Sequence, residues 1–83
     1  MKVIVKYFAG IREAIGSGQE LRETTAQTLA GLRDELIALG GAHAESLARG
    51  KAVRLALNQV MSDESAPLTE GAEVAFFPPV TGG

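Results

Sequence analysis

Cysteine is absent from the 83-residue chain, which removes disulfides, thiolate metal sites, a cysteine nucleophile and thiol-borne sulfur from the chemistry open to it. Histidine occurs once, as His43 in the loop-like stretch GGAHAES, and no HxH or HxxxH spacing offers a metal a second ligand. Basic runs and basic–aromatic interleaving are missing too. Eight Lys and Arg are mixed with ten Asp and Glu for a formal net charge of −2, which argues against nucleic acid as a partner. No apolar run approaches the roughly 18 residues of a membrane span. The opening MKVIVKYFAGIREAIG is broken too often by Lys2, Lys6, Arg12 and Glu13 to read as a secretory signal. The expectation is a soluble protein of the cytoplasm.

Catalytic constellations are equally scarce. Ser17, Ser46, Ser62 and Ser65 lack a G-x-S-x-G setting. The GSG and GG stretches lack the Lys-Ser/Thr of a phosphate-binding loop. Asp34 and Glu35 are adjacent on a helix, point in different directions, and read as a solvated helix face; His43 reads as a solvated loop residue. No cofactor-binding or metal-binding set is expected. The chain looks like something acted upon.

What is present is an ordinary globular composition, 46% hydrophobic and 22% charged. KVIVKYFA, Lys2–Ala9, reads as a strand with Val3, Val5 and Tyr7 on its core face and Ile4 and Phe8 on the other. GIREAIGSG offers a helical turn at best, and Glu20–Thr24 returns as a second strand. TLAGLRDELIALGG is the clearest helix: Leu29, Leu32, Leu36 and Leu39 stack on one face beside Ile37, with Thr28 as N-cap and Gly40-Gly41 as the stop. AHAESLARG adds a short helix. VRLALNQVMS gives two strand pieces around Asn58-Gln59, and Glu73–Phe77 is the last strand, ended by Pro78. One three-turn helix cannot bury its leucines alone. The fold class is therefore α+β, a mixed sheet packed on one main helix, with the ubiquitin-like β-grasp among the arrangements that satisfy it. The body is expected over 1–77 and a flexible, extended Gly-Gly tail over 78–83.

That tail is the unusual part. Pro78 and Pro79 favour an extended segment, Val80 and Thr81 continue it, and Gly82 and Gly83 carry no side chains, so they can pass a narrow channel. A terminal carboxylate is a poor electrophile until its attack on the α-phosphate of ATP makes it an acyl-adenylate, from which a sulfur or amine nucleophile displaces AMP. Alternation along the last strand turns Phe77 outward with Phe8, and Met61 can join them as an apolar partner surface.

EVAFFPPVTGG, preceded by PLTEG and LNQVM, resembles the small subunits of molybdopterin synthase, and YFAGIRE, TLAGLRDEL and GKAVRLALNQ sit where that family has similar segments. The resemblance implies a β-grasp fold and a non-catalytic sulfur-carrier subunit. An E1-like adenylyltransferase would activate Gly83 with ATP, a sulfur donor protein would lead to a thiocarboxylate, and the large catalytic subunit would pass that sulfur to cyclic pyranopterin monophosphate. A heterotetramer with the large subunit is implied, with Phe8, Arg12, Met61 and Phe77 as contacts and no cofactor bound by the chain itself. Carriers for thiamine synthesis or tRNA thiolation, a ubiquitin-like modifier, and a plain interaction domain remain open alternatives. Replacing Gly83 with Ala is expected to impair activation or delivery while leaving the thermal midpoint unchanged; wild-type turnover by that variant in a reconstituted synthase would sink the acyl-carrier reading.

Overall fold

The computed structural model describes residues 1–79; Val80, Thr81, Gly82 and Gly83, where most of the expected tail falls, lie outside the described residues. In chain order the elements are β1 (Lys2–Tyr7), α1 (Ala9–Ile15), β2 (Gln19–Glu23), α2 (Leu29–Ile37), α3 (Gly41–Leu47), β3 (Arg54–Leu57), β4 (Val60–Ser62) and β5 (Glu73–Phe77). The strands form one mixed sheet in the order β2-β1-β5-β3-β4. β1 and β5 run parallel at its centre, and the other neighbours are antiparallel.

Period-two alternation decides which face is buried. Val3, Val5 and Tyr7 of β1 and Val74 and Phe76 of β5 are almost fully buried. Register places Tyr7 beside Phe76, and Phe76 beside Leu55, in one inward row. The Tyr7 and Phe76 rings stack with centroids 6.1 Å apart. Leu29, Leu32 and Leu36 of α2 close the core from the other side, with Leu47 and Leu68 at its margins. This is the β-grasp arrangement: alternation and the leucine stripe led us to expect a mixed sheet packed on one main helix, and the resemblance implied this topology.

α2 begins where its first N–H groups find acceptors. The Thr28 hydroxyl accepts from the Gly31 N–H at 3.2 Å, a cap that contributes about 1 kcal/mol. The Leu29 and Ala30 N–H groups donate to the carbonyls of Ala66 and Glu64, so the loop before β5 completes the cap. The helix stops at Ile37. Gly40, with φ of +77°, donates to the Ile37 carbonyl and turns the chain into α3. Leu39 therefore falls past the helix end and is 51% exposed, not part of the buried stripe.

Other expectations are corrected as well. β1 ends at Tyr7, because Ala9, at φ of +49°, turns the chain directly into α1. α1 is a seven-residue helix rather than a single turn, anchored by buried Ile11 and stopped by Gly16 at φ of +85°. Asn58 and Gln59 both have positive φ, the condition for a two-residue type I′ hairpin, although neither is glycine. Asn58 compensates by exchanging hydrogen bonds with the Glu73 backbone: its N–H donates to the Glu73 carbonyl and its side-chain oxygen accepts from the Glu73 N–H. Glu35 is half-buried rather than on an open, solvated face. It accepts from Arg22 at 3.2 Å and from the buried Thr24 hydroxyl, tying α2 to β2.

One buried charge organises the long connection into β3. Arg33, only 3% exposed, donates to the carbonyls of Leu47 at 2.9 Å, Ala48 at 2.9 Å and Lys51 at 3.1 Å, and pairs with Glu64 at 3.4 Å. Burial pulls its guanidinium down from its ordinary value, and Glu64 opposes that shift. Arg49 clamps the same corner from outside, through Asp34, Glu64 and the Ala30 carbonyl. Arg33→Met keeps the aliphatic stem of the side chain but leaves the Leu47 carbonyl without a partner among the described residues, takes one of two donors from the Ala48 and Lys51 carbonyls, and removes one of the two partners of Glu64. It is expected to cost about 3 kcal/mol, read as a lower urea midpoint at unchanged slope; an unchanged midpoint would show that these carbonyls find other partners freely.

Candidate functional site

The sheet is covered by helices on one face only, and the residues the other face presents near the end of β5 form the candidate site. Phe77 is the last residue of β5, and Phe8 is the first residue after β1. Continuing the parallel register beyond Tyr7 and Phe76 brings them side by side, with rings stacked at 4.6 Å between centroids and 12° between planes. Phe8 donates its N–H to the Phe76 carbonyl, which holds it at the strand end. Its ring remains 38% exposed.

Met61 reaches the same face by register. It pairs with Ala56, and Ala56 pairs with Ala75, two positions before Phe77. Met61 is 56% exposed. Together Phe8, Ala9, Met61, Phe77 and the Pro78-Pro79 pair line an open groove of about 360 Å³, into which Arg54 also projects. On the other side of the prolines lies a second groove of about 300 Å³, formed by Gly10, Ile11 and Ala14 of α1 with Ser46, Lys51 and Val53. The proline pair is thus a ridge between two grooves at the root of the tail.

The structure brings Phe8, Met61 and Phe77 together but does not bring Arg12 to them. Arg12 lies across Gly18, where an added Cβ would come within 3.0 Å of its Nε, and it lines neither groove. Arg54 and Lys51 were not singled out from the sequence. The signal for Arg54 was its pairing with Phe77 across β3 and β5, which composition cannot reveal.

His43 also departs from expectation. It is half-buried, edge-on to Tyr7 with centroids 5.8 Å apart, and its Nε2 lies 3.5 Å from a Glu20 carboxylate oxygen. The Tyr7 hydroxyl is buried and has no hydrogen-bond partner among the described residues. Burial first, and the nearby Glu20 carboxylate second, push that phenol well above its ordinary value. It stays protonated and supplies packing. Among the described residues no group of three or more His, Asp or Glu is placed to hold a metal ion.

Comparison with known proteins places the chain in a family. A model of the ThiS family matches residues 5–83. The chain belongs to the ThiS family. Among its relatives, the molybdopterin synthase sulfur carrier subunit of Escherichia coli (strain K12) is 40% identical over 79 residues, covering 95% of this chain and 96% of that one. The structure of a complex of subunits 1 and 2 of the molybdopterin-converting factor from Helicobacter pylori 26695 includes a similar chain, with a TM-score of 0.71, 28% identity and full coverage of both chains. The small archaeal modifier protein 1 of Haloferax volcanii has a TM-score of 0.77 at 23% identity, covering 95% of this chain and 98% of that one, and shares the fold.

An aromatic pair this close couples energetically as well as sterically. A double-mutant cycle with Phe8→Ala and Phe77→Ala is expected to give a coupling of about 1 kcal/mol in folding stability. Strict additivity would mean that the two rings merely sit near one another.

Proposed function

We propose that this chain is the sulfur-carrier subunit of a molybdopterin synthase. The observation that carries the reading is its similarity, along nearly its whole length, to the E. coli sulfur carrier subunit. The exposed Phe8–Phe77–Met61 patch at the tail root supports it, since it suits a partner that must receive the tail. The H. pylori complex supports a large-subunit partner, because a chain of this fold pairs there with subunit 2.

In this reading the Gly83 carboxylate attacks the α-phosphate of ATP bound to an E1-like enzyme, and pyrophosphate leaves. Sulfur from a donor protein displaces AMP and leaves a thiocarboxylate. The patch then docks on the large subunit, and Pro78 to Gly83 carry the sulfur to cyclic pyranopterin monophosphate. The chain contributes recognition and reach, binds no cofactor itself, and works in the cytoplasm as part of a heterotetramer. ATP belongs to the activating partner.

The test uses the absence of cysteine. Intact mass of the protein from its native cells is measured before and after treatment with a thiol alkylator. An adduct localised to Gly83 is the expected result, since no side-chain thiol competes for the reagent. A terminus that stays unreactive even when sulfur and the activating enzyme are supplied would overturn the carrier reading.

A further inference from the structure

Half of the basic side chains are committed to ion pairs and half are not. Lys6, Arg22, Arg33 and Arg49 are paired with carboxylates; among the described residues Lys2, Arg12, Lys51 and Arg54 are not. Two of these four, Lys51 and Arg54, line the grooves on opposite sides of the Pro78-Pro79 ridge. Two acidic residues stand near Arg54 in an adjoining groove, Asp63 and Glu64. Neither forms an ion pair with Arg54: Asp63 accepts from the Ser65 N–H and hydroxyl, and Glu64 pairs with Arg33 and Arg49. Among the described residues, two cations at the root of the tail thus have no ion-pair partner, in a chain that carries a net charge of −2.

Covering the Phe8–Phe77–Met61 patch would take water from Arg54, which stands opposite Phe77 in the sheet register. A cation desolvated without a counter-charge strongly disfavours the complex. A partner that covers this patch with a carboxylate at its margin is favoured, and a neutral or basic margin is rejected. Lys51 poses the same requirement on the helix side of the ridge. Its backbone carbonyl is held by Arg33, so the root of its exposed side chain is fixed by the fold.

We propose that Arg54 and Lys51 are specificity-determining residues that straddle the tail root and pair with carboxylates on the rim of the partner's tail-accepting channel. The inference rests on the sulfur-carrier reading, which supplies the partner. The apolar patch provides contact area, and the two cations set the approach direction and the rotation of the body about the tail. Such rim charges act mainly on association rate and are screened by salt.

The test is stopped-flow association of the full chain with the large molybdopterin synthase subunit from the same cells, at low and high ionic strength. Arg54→Glu is expected to slow association at low salt by about tenfold, Lys51→Glu by several-fold, with both differences shrinking to about twofold at high salt. Lys2→Glu, the same change of net charge at the opposite end of β1, is expected to stay within about twofold of wild type throughout. Arg54→Gln serves if the Glu variant fails to fold, with a loss of about threefold expected. Equal effects of Arg54→Glu and Lys2→Glu would overturn the proposal, since net charge alone would then explain them. Faster association of Arg54→Glu would also overturn it, by showing that the guanidinium holds the chain's own carboxylate. Phe77→Ala separates the two levels: if it abolishes binding while both charge reversals leave the rate unchanged, only the present inference fails. If neither Phe77→Ala nor the reversals alter binding, the docking face is misassigned and the present inference falls, while the carrier reading still stands or falls on the reactivity of Gly83.

Discussion

β1 and β5 are the first and last strands of the chain, yet they lie side by side at the centre of the sheet. Their parallel register is a single constraint with two consequences. On the inner face it sets Tyr7 against Phe76, the two largest fully buried side chains. On the outer face the next step of the same ladder sets Phe8 against Phe77. Because side chains alternate with a period of two, a slip of one residue would exchange the faces, exposing the core pair and burying the outer pair. Stability and function are therefore written into one register, and the packing that selects the fold also selects the surface offered to a partner.

The surroundings of that surface divide labour in a similar way. Stacked aromatic rings and a flexible methionine give area that can adapt, while the prolines stiffen the exit of the chain. The rigid support comes from behind. The buried Arg33 fixes the Leu47–Lys51 connection by its carbonyls, and Arg49 closes it from outside, so the backbone that leads into β3 is held from behind the patch. A buried charge is an expensive way to hold a loop. Here one guanidinium gathers three backbone acceptors of a single connection, two of which, Ala48 and Lys51, also accept from backbone N–H groups of the same loop.

Much of the body was legible in the residues. Val3, Val5 and Tyr7, and then Val74 and Phe76, alternate strictly, and the leucines at 29, 32 and 36 repeat at helical steps, so strand faces and the main helix followed from periodicity. Short elements were harder. α1 carries one buried residue, Ile11, too few to make a pattern, and Leu39 kept the helical rhythm after the backbone had left the helix. His43 looked like loop material because its contact with Tyr7 is long-range. The pairing of Phe8 with Phe77 could be anticipated from alternation, since both sit at strand ends. Arg54 and Lys51 could not, because their meaning depends on which carboxylates elsewhere are already occupied. Charge compensation is a property of the folded surface.

The central place of β5 also bears on how the protein is made. β5 is synthesised last, and until it emerges β1 has no parallel neighbour and β3 has no inner partner. Pairing between chain ends carries a high contact order, so the body must wait for its final strand and then close in a slow, concerted step. A nascent or truncated chain lacking Glu73–Phe77 has nothing against which to bury Tyr7 and Leu55, and it is left open to proteolysis. A check on completeness is thus inherent in the topology: a copy cut before the end of β5 does not persist as a folded body, whereas changes beyond Phe77 escape it.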